Sequence, residues 1–310
     1  MMKWNGLRNC SCPSKKSKMI VYYLLLAASI VLCVCKSSLY NSYAQKSQPT
    51  LGATFCFNTI SYGVSAVFAL VGMLFGTQAI SAPTVICALF YAVIVLSMQT
   101  ISITAMRVGA MSTTSICVMY GMIIPSVSGP IFWNETIGLL QIAGIILMIV
   151  SLWFIKEKAP TEKEKLTKTW TVLAILAFVL SGMAGVMEKI HQSTTAKAEK
   201  LPFVFVACVA MFAFSIVSRL ITRRKGEQIL IKSTLPIAAL SGAVIGLYST
   251  VNLTLSGKLD SMIYYPIANG GAMLLTVLVS VIIFKERFDK KRMIGTIIGL
   301  LGILCLSIPV

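Results

Sequence analysis

Apolar residues in this chain run in long unbroken stretches, and the polar ones collect in the short gaps between them. Positions 47–106, 108–134, 233–257 and 261–284 contain no Asp, Glu, Lys or Arg at all. About 20 apolar residues in a helix cover the roughly 30 Å hydrocarbon core of a bilayer. The strict apolar–polar alternation of strands is missing, which argues against a β-barrel. The pattern predicts ten helical spans, at about 19–38, 52–75, 82–105, 109–132, 137–156, 169–189, 201–222, 233–256, 261–284 and 293–309. Five spans precede the charged linker Lys156–Lys168 and five follow it. The expected class is an all-α membrane protein: a basic leader (1–18), a five-helix repeat (19–156), a linker (157–168) and a second five-helix repeat (169–310).

A short module recurs in this frame 151 residues apart. Its first copy is Ile131-Phe132-Trp133-Asn134-Glu135, with Gly144 nine residues after the Glu. The second is Ile283-Phe284-Lys285-Glu286, with Gly295 nine residues on. Arg107 and Lys258 each stand 28 residues before the respective Glu. The halves thus look like a duplication. An odd number of spans per half makes the second half enter the membrane from the opposite face, so the repeats are inverted. Many secondary transporters use that geometry to build a site near the midplane. The alternative is a duplicated bundle acting as scaffold or sensor.

An apolar hairpin, a Glu and then a glycine-dotted helix, twice over ten spans, resembles the EamA-like branch of the drug/metabolite transporter (DMT) superfamily. Gly144 lies in QIAGIILMIVSLWFI, and Gly295, Gly299 and Gly302 lie in MIGTIIGLLGILCLS. The resemblance covers most of 19–310 and implies a multi-pass carrier without a bound cofactor. Its partners would be a small-molecule substrate and membrane lipid, and its location the cytoplasmic membrane, here of a bacterium. It leaves the substrate open, because members move chemically unrelated solutes. Pro125 matches a proline frequent midway along the family's fourth span, whereas position 276 in the ninth span is Thr and Pro266 comes earlier, so the halves should kink at different depths.

The chain has 310 residues, 57% hydrophobic and 12% charged, with mean hydropathy +0.85 and net charge +17. Soluble domains carry about twice that charge fraction. The basic residues flank apolar spans, where they anchor helices at lipid headgroups, so no nucleic-acid partner is expected. Residues 1–18 hold five Lys or Arg and no acid. They imitate a secretory signal but lack a small-x-small cleavage site; Met19 is an alternative start. With a cytoplasmic N-terminus, the connecting segments carry nine Lys and Arg inside and 18 outside. That count opposes the basic flank of the first span, and orientation stays open. Cys10 and Cys12 lack further ligands nearby, so no metal site is expected. The other cysteines mostly sit in apolar spans as small hydrophobes.

Polar residues inside spans are costly unless they face a partner or a cavity. Glu188, Lys189 and His191 close the sixth span, and Lys36 closes the first. Lys36 and Lys189, one per half, would meet an anionic substrate group or close a gate; the alternative is that they are snorkelling interface lysines. In the ninth span Tyr264, Tyr265 and Asn269 surround Pro266 and Gly270-Gly271, and the fourth span offers Tyr120, Gly121, Pro125 and Ser126. Together these would line a midplane pocket around helix kinks at Pro125 and Pro266, or merely allow close packing. Gln99, Asn58 and Asn252 are weaker candidates that interhelical hydrogen bonds also explain. Glu135 and Glu286 fit the positive N-terminal ends of the fifth and tenth helices. The spacing Gly295-x-x-x-Gly299 suits close helix packing within a monomer, or a homodimer face. There is no enzyme constellation: one His, no metalloprotease or phosphate-loop motif, and no paired carboxylates. The expected function is transport of an amino acid or other anionic or zwitterionic solute by alternating access. A drug or cation exporter and a nucleotide-sugar-like exchanger stand as alternatives.

Overall fold

In hydrocarbon every backbone N–H and C=O must be paired within the chain, and an α-helix does so segment by segment. In the computed structural model the described residues are 15–74, 79–133, 138–155, 164–194, 199–222, 234–256, 261–285, 290–306 and 308, and every regular element among them is helical. The elements are α1 (Lys15–Lys46), α2 (Leu51–Leu74), α3 (Ala82–Val108), α4 (Met111–Tyr120), α5 (Ile123–Trp133), α6 (Leu139–Ile155), α7 (Glu164–Thr194), α8 (Lys200–Thr222), α9 (Leu235–Ser256), α10 (Ser261–Ile282) and α11 (Lys290–Leu306). Among the described residues seven stretches are long and apolar enough to cross a membrane, and Leu139–Ser151, Ile267–Ile282 and Met293–Leu306 are shorter apolar helices. Large side chains such as Phe132, Leu139, Ile221 and Ile282 point outward, while Asn58, Ser61, Ser65 and Ser280 are fully buried. That reverses the usual arrangement of a water-soluble domain. The chain is an all-helical, multi-pass membrane protein.

Two helices outrun their expected ends by more than a turn. α1 continues past Ser38 to Lys46, and α7 past Lys189 to Thr194. The added turns are polar in sequence but packed inside, with Tyr40, Asn41, Tyr43 and His191 all buried. Lys36 therefore lies ten residues before the end of its helix, not at it. α1 also begins within the expected leader and α7 within the expected linker.

The fourth span is interrupted. Pro125 has no N–H to give the carbonyl of Gly121, four residues earlier. Ile124 N donates to Gly121 O instead (3.0 Å), and Met122 N to Met119 O (3.3 Å), so the chain tightens to i→i−3 bonds between α4 and α5. The break packs on α7 nearly backbone to backbone. A Cβ on Gly121 would lie 2.8 Å from Gly182 N, and one on Gly182 would lie 2.8 Å from Gly121 O. The expected kink at Pro125 is thus seen. The one at Pro266 is not seen as a break: α10 is a single helix from Ser261 to Ile282. Gly270 faces Ile303 of α11 and Gly271 faces Ile30 of α1, so these glycines allow close packing.

Small residues set the closest helix contacts. A Cβ on Gly144 of α6 would come within 2.6 Å of Gly302 O, and one on Gly302 within 2.7 Å of Gly144 O. The sequence repeat aligns Gly144 with Gly295, but its packing partner is Gly302; Gly295 is itself buried. Gly299 leaves the space taken by the Tyr120 hydroxyl, which bonds Ser151 Oγ at 2.7 Å. The glycine spacing of α11 therefore serves packing within the subunit. α2 packs on α8 and α9, α3 on α7 and α8, α1 on α9 and α10, α7 on α4 and α5, and α6 on α11. Ser61 and Ser65 of α2 donate to the carbonyls of Ala238 (3.0 Å) and Gly242 (2.8 Å) of α9.

Side-chain bonds fix which helix ends adjoin. Thr84 at the start of α3 meets His191 near the end of α7, and Glu199 just before α8; this is the His191 end. Opposite it, Trp170 Nε1 donates to Thr114 Oγ1 of α4 (3.0 Å), and Arg107 Nη2 to Ser47 Oγ after α1 (2.8 Å); this is the Trp170 end. Glu135 and Glu286 lie outside the described residues.

Replacing Gly299 by Ala should destabilise the fold by about 1–3 kcal/mol through overpacking. Adding Tyr120→Phe, which removes the opposing hydroxyl, should restore part of the loss. Thermal unfolding of the single and double variants checks both.

Candidate functional site

A charge buried in an apolar helix bundle must find a partner or a polar cavity. Glu188 and Lys36 are charged side chains that reach the interior with identified partners. Glu188 of α7 accepts a hydrogen bond from Tyr91 OH of α3 through Oε1 (2.9 Å). Lys36 of α1 holds its Nζ 4.5 Å from the ring centroid of Tyr248 of α9, a cation–π contact. Tyr91 lies nine residues into α3, or about 13 Å at 1.5 Å per residue. The carboxylate is therefore well inside the bundle, not at the headgroup level expected for the end of the sixth span. Lys36 and Glu188 lie within electrostatic reach of each other, and Tyr91 within such reach of Tyr62 and Tyr248. Each half of the chain supplies one charge and one tyrosine. Lys36 and Tyr91 come from the first half, Glu188 and Tyr248 from the second.

The region nearer the His191 end contains a second set of polar contacts. His191 is 3% exposed and stacks on Phe203 of α8, with ring centroids 4.3 Å apart. Its Nε2 is 3.2 Å from Thr84 Oγ1. Glu199 accepts from Ser81 N (3.1 Å), Ser81 Oγ (2.7 Å) and Thr84 Oγ1, all through Oε2. These donors form the N-terminal cap of α3, where a carboxylate also offsets the positive end of the helix. The Thr84 hydrogen bond, then those from Ser81, hold the Glu199 carboxyl below the usual glutamate range. Glu199 was not among the residues singled out from the sequence. The available signal was the Ser81-Ala82-Pro83-Thr84 helix start, whose donors need an acceptor.

Other predicted residues serve packing. Gln99 accepts from Tyr62 OH and donates to Asn58 Oδ1 (2.9 Å), while Asn58 Nδ2 donates to Thr100 Oγ1 (3.0 Å). This buried α2–α3 network is internally paired, which is the interhelical role open from the sequence. Tyr120 is fully buried between α6 and α11, and the space around the fourth span and α10 is filled by Ile116, Met119, Ala272, Met273 and Ile303. Tyr120 itself thus sits in an apolar core. Asn269 and Lys189 are half-buried. The side chains of Tyr264, Tyr265 and Pro266 lie outside the described residues. An apolar groove of about 400 Å³ between α2, α3 and α8, lined by Phe55, Leu96 and Phe214, opens on the outer surface beside exposed Val93 and Val217.

No family model matches the chain, and no curated protein matches it. It is similar to a solved chain described as "Crystal structure of protein", at TM-score 0.63 and 13% identity over 92% of this chain and 97% of that one. At that identity the likeness is one of fold.

The lowered Glu199 value has a definite sign. A carboxyl depressed in the folded state contributes stability fully above its ordinary value of 4.5, and that stability is lost as pH falls through the folded value. Glu199→Gln should lower the midpoint of thermal unfolding at neutral pH and flatten its fall below about pH 4.5, read from unfolding curves across an acid series.

Proposed function

We propose that this protein is a secondary transporter that moves a small zwitterionic or anionic metabolite, such as an amino acid, across the membrane by alternating access. One observation carries the reading. A lysine and a glutamate, on the first helix of each half, lie inside the bundle within electrostatic reach, each held by a tyrosine of the other half. One positive and one negative side chain in the same interior suit the carboxylate and ammonium of one small solute. The lysine pair Lys36 and Lys189 is not the basis of this reading, since Lys36 works here with Glu188.

The helix contacts support a fold of ten spans as two inverted five-helix repeats. Exchanging α1 with α7, α2 with α8, α3 with α9, the α4–α5 pair with α10, and α6 with α11 turns the α3–α7 contact into α9–α1. The same exchange turns α2–α9 into α8–α3 and α1–α10 into α7 with α4 and α5, and every one of these contacts is present. The α2–α8 and α6–α11 contacts map onto themselves. The paired Glu and Gly modules, resembling the EamA-like branch of the DMT superfamily, point the same way.

In the resting protein Tyr91 and Tyr248 keep the two charges from being buried bare. An arriving solute offers its carboxylate to Lys36 and its ammonium to Glu188. It thereby bridges helices of the two halves, and their relative rocking carries it across. Polar contacts between the halves, Thr84 with His191 and Glu199 at one end and Trp170 with Thr114 at the other, are those that would break in turn as each end opens.

Counterflow in proteoliposomes against labelled amino acids and organic acids tests this. A charged hydrogen bond is worth about 1.5–3 kcal/mol, or roughly tenfold to a hundredfold in affinity. Lys36→Met should raise KM by that amount for zwitterions and simple anions alike, and Glu188→Gln for zwitterions only. Unchanged rate and KM in both folded variants would end the proposal.

A further inference from the structure

A buried polar atom without a hydrogen bond costs on the order of 1–3 kcal/mol, so several at one depth call for a ligand. Asn41 Nδ2, Ser115 Oγ, Ser241 Oγ and Thr276 Oγ1 are buried and unpartnered. The residues are 1%, 3%, 0% and 0% exposed. They stand five residues before Lys46, four after Met111, six after Leu235 and six before Ile282. Each is thus about 6–9 Å from the Trp170 end of its helix. Their helices adjoin: α1 packs on α4, α9 and α10, and α10 packs on α4 and α9.

Helical spacing links this layer to the centre. Asn41 follows Val34 by seven residues, Ser115 precedes Met119 by four, and Thr276 follows Met273 by three; Val34, Met119 and Met273 belong to one core cluster. Ser241 precedes Tyr248, the ring beside Lys36, by seven. Residues so spaced share a helix face.

We propose that Asn41, Ser115, Ser241 and Thr276 form a hydrogen-bonding subsite for an uncharged polar group of the transported solute, a hydroxyl or a carboxamide. None of the four is charged, so the layer offers donors and acceptors to a neutral group, while Lys36 and Glu188 hold the ionic ends. This subsite rests on the transporter reading above.

The test is counterflow of labelled serine and asparagine against alanine and leucine, in wild type and in Ser241→Ala/Thr276→Val. Sites built to bond a substrate hydroxyl discriminate strongly against analogues without it. The variant should lose about tenfold of the wild-type preference for the polar pair, at the scale of one lost hydrogen bond. Its thermal midpoint should be equal or higher, because unpaired buried atoms are gone. Asn41→Leu and Ser115→Ala, measured singly, give the same readout if the double variant does not fold. An unchanged preference in folded variants means these atoms hold only water; the subsite then falls and the transporter reading stands. If wild type exchanges none of the four amino acids, the subsite falls, and the transporter reading then rests on the wider counterflow panel of amino and organic acids.

Discussion

A charge inside an apolar bundle has to be answered where it sits, and much of this molecule's interior follows from how Glu188 and Lys36 are answered. Tyr91 donates to the carboxylate and the face of Tyr248 receives the ammonium. These contacts tie α7 to α3 and α1 to α9, two of the contacts through which the halves hold together. They differ in kind from the rest of the interface. Gly144 against Gly302 and Gly121 against Gly182 are backbone approaches that a single methyl group would disturb. A tyrosine holding a charge can release it when a better partner arrives. A close glycine contact has no second arrangement to adopt.

That contrast gives the bundle a division of labour. α6 and α11 are locked by glycines and by Tyr120, and the fourth span is pinned to α7 at the Pro125 break. The α2–α3 network of Asn58, Tyr62, Gln99 and Thr100 is likewise closed upon itself. What stays open to exchange is polar and lies along α1, α3, α4, α7, α9 and α10. It comprises the central charge pair, the capped start of α3 with Glu199 and His191, and the unpartnered layer from Asn41 to Thr276. In the proposed cycle the rigid contacts carry the motion and the polar ones register the solute.

The helices were largely legible in the sequence because a bilayer leaves few options for runs of apolar residues this long. The ends of α1 and α7 were not, since Tyr40, Asn41 and His191 look like interface residues until a neighbouring helix is seen to bury them. With α1 and α7 ending at Ser38 and Lys189, Lys36 and Lys189 are matching helix-end lysines of the two halves; the longer helices place Lys36 inside the bundle instead. Pro125 was readable as a break because its missing N–H acts locally. Tyr120 was not readable as a packing residue, because the space it fills belongs to Gly299, far along the chain. Glu199 escaped for the same reason: its donors, Ser81 and Thr84, are 118 and 115 residues away.

In the proposed cycle the two halves rock about the Lys36–Glu188 pair and open one end as they close the other. Spin labels at Ile80 and Ser193 would report the His191 end, and labels at Gln45 and Lys168 the Trp170 end; all four positions are exposed, and each pair spans the halves. Distances between the labels, measured in liposomes with and without a transported zwitterion, test the claim directly. One distance should lengthen as the other shortens, and Lys36→Met should abolish the response. Two distances that stay fixed, or that change together, would contradict it.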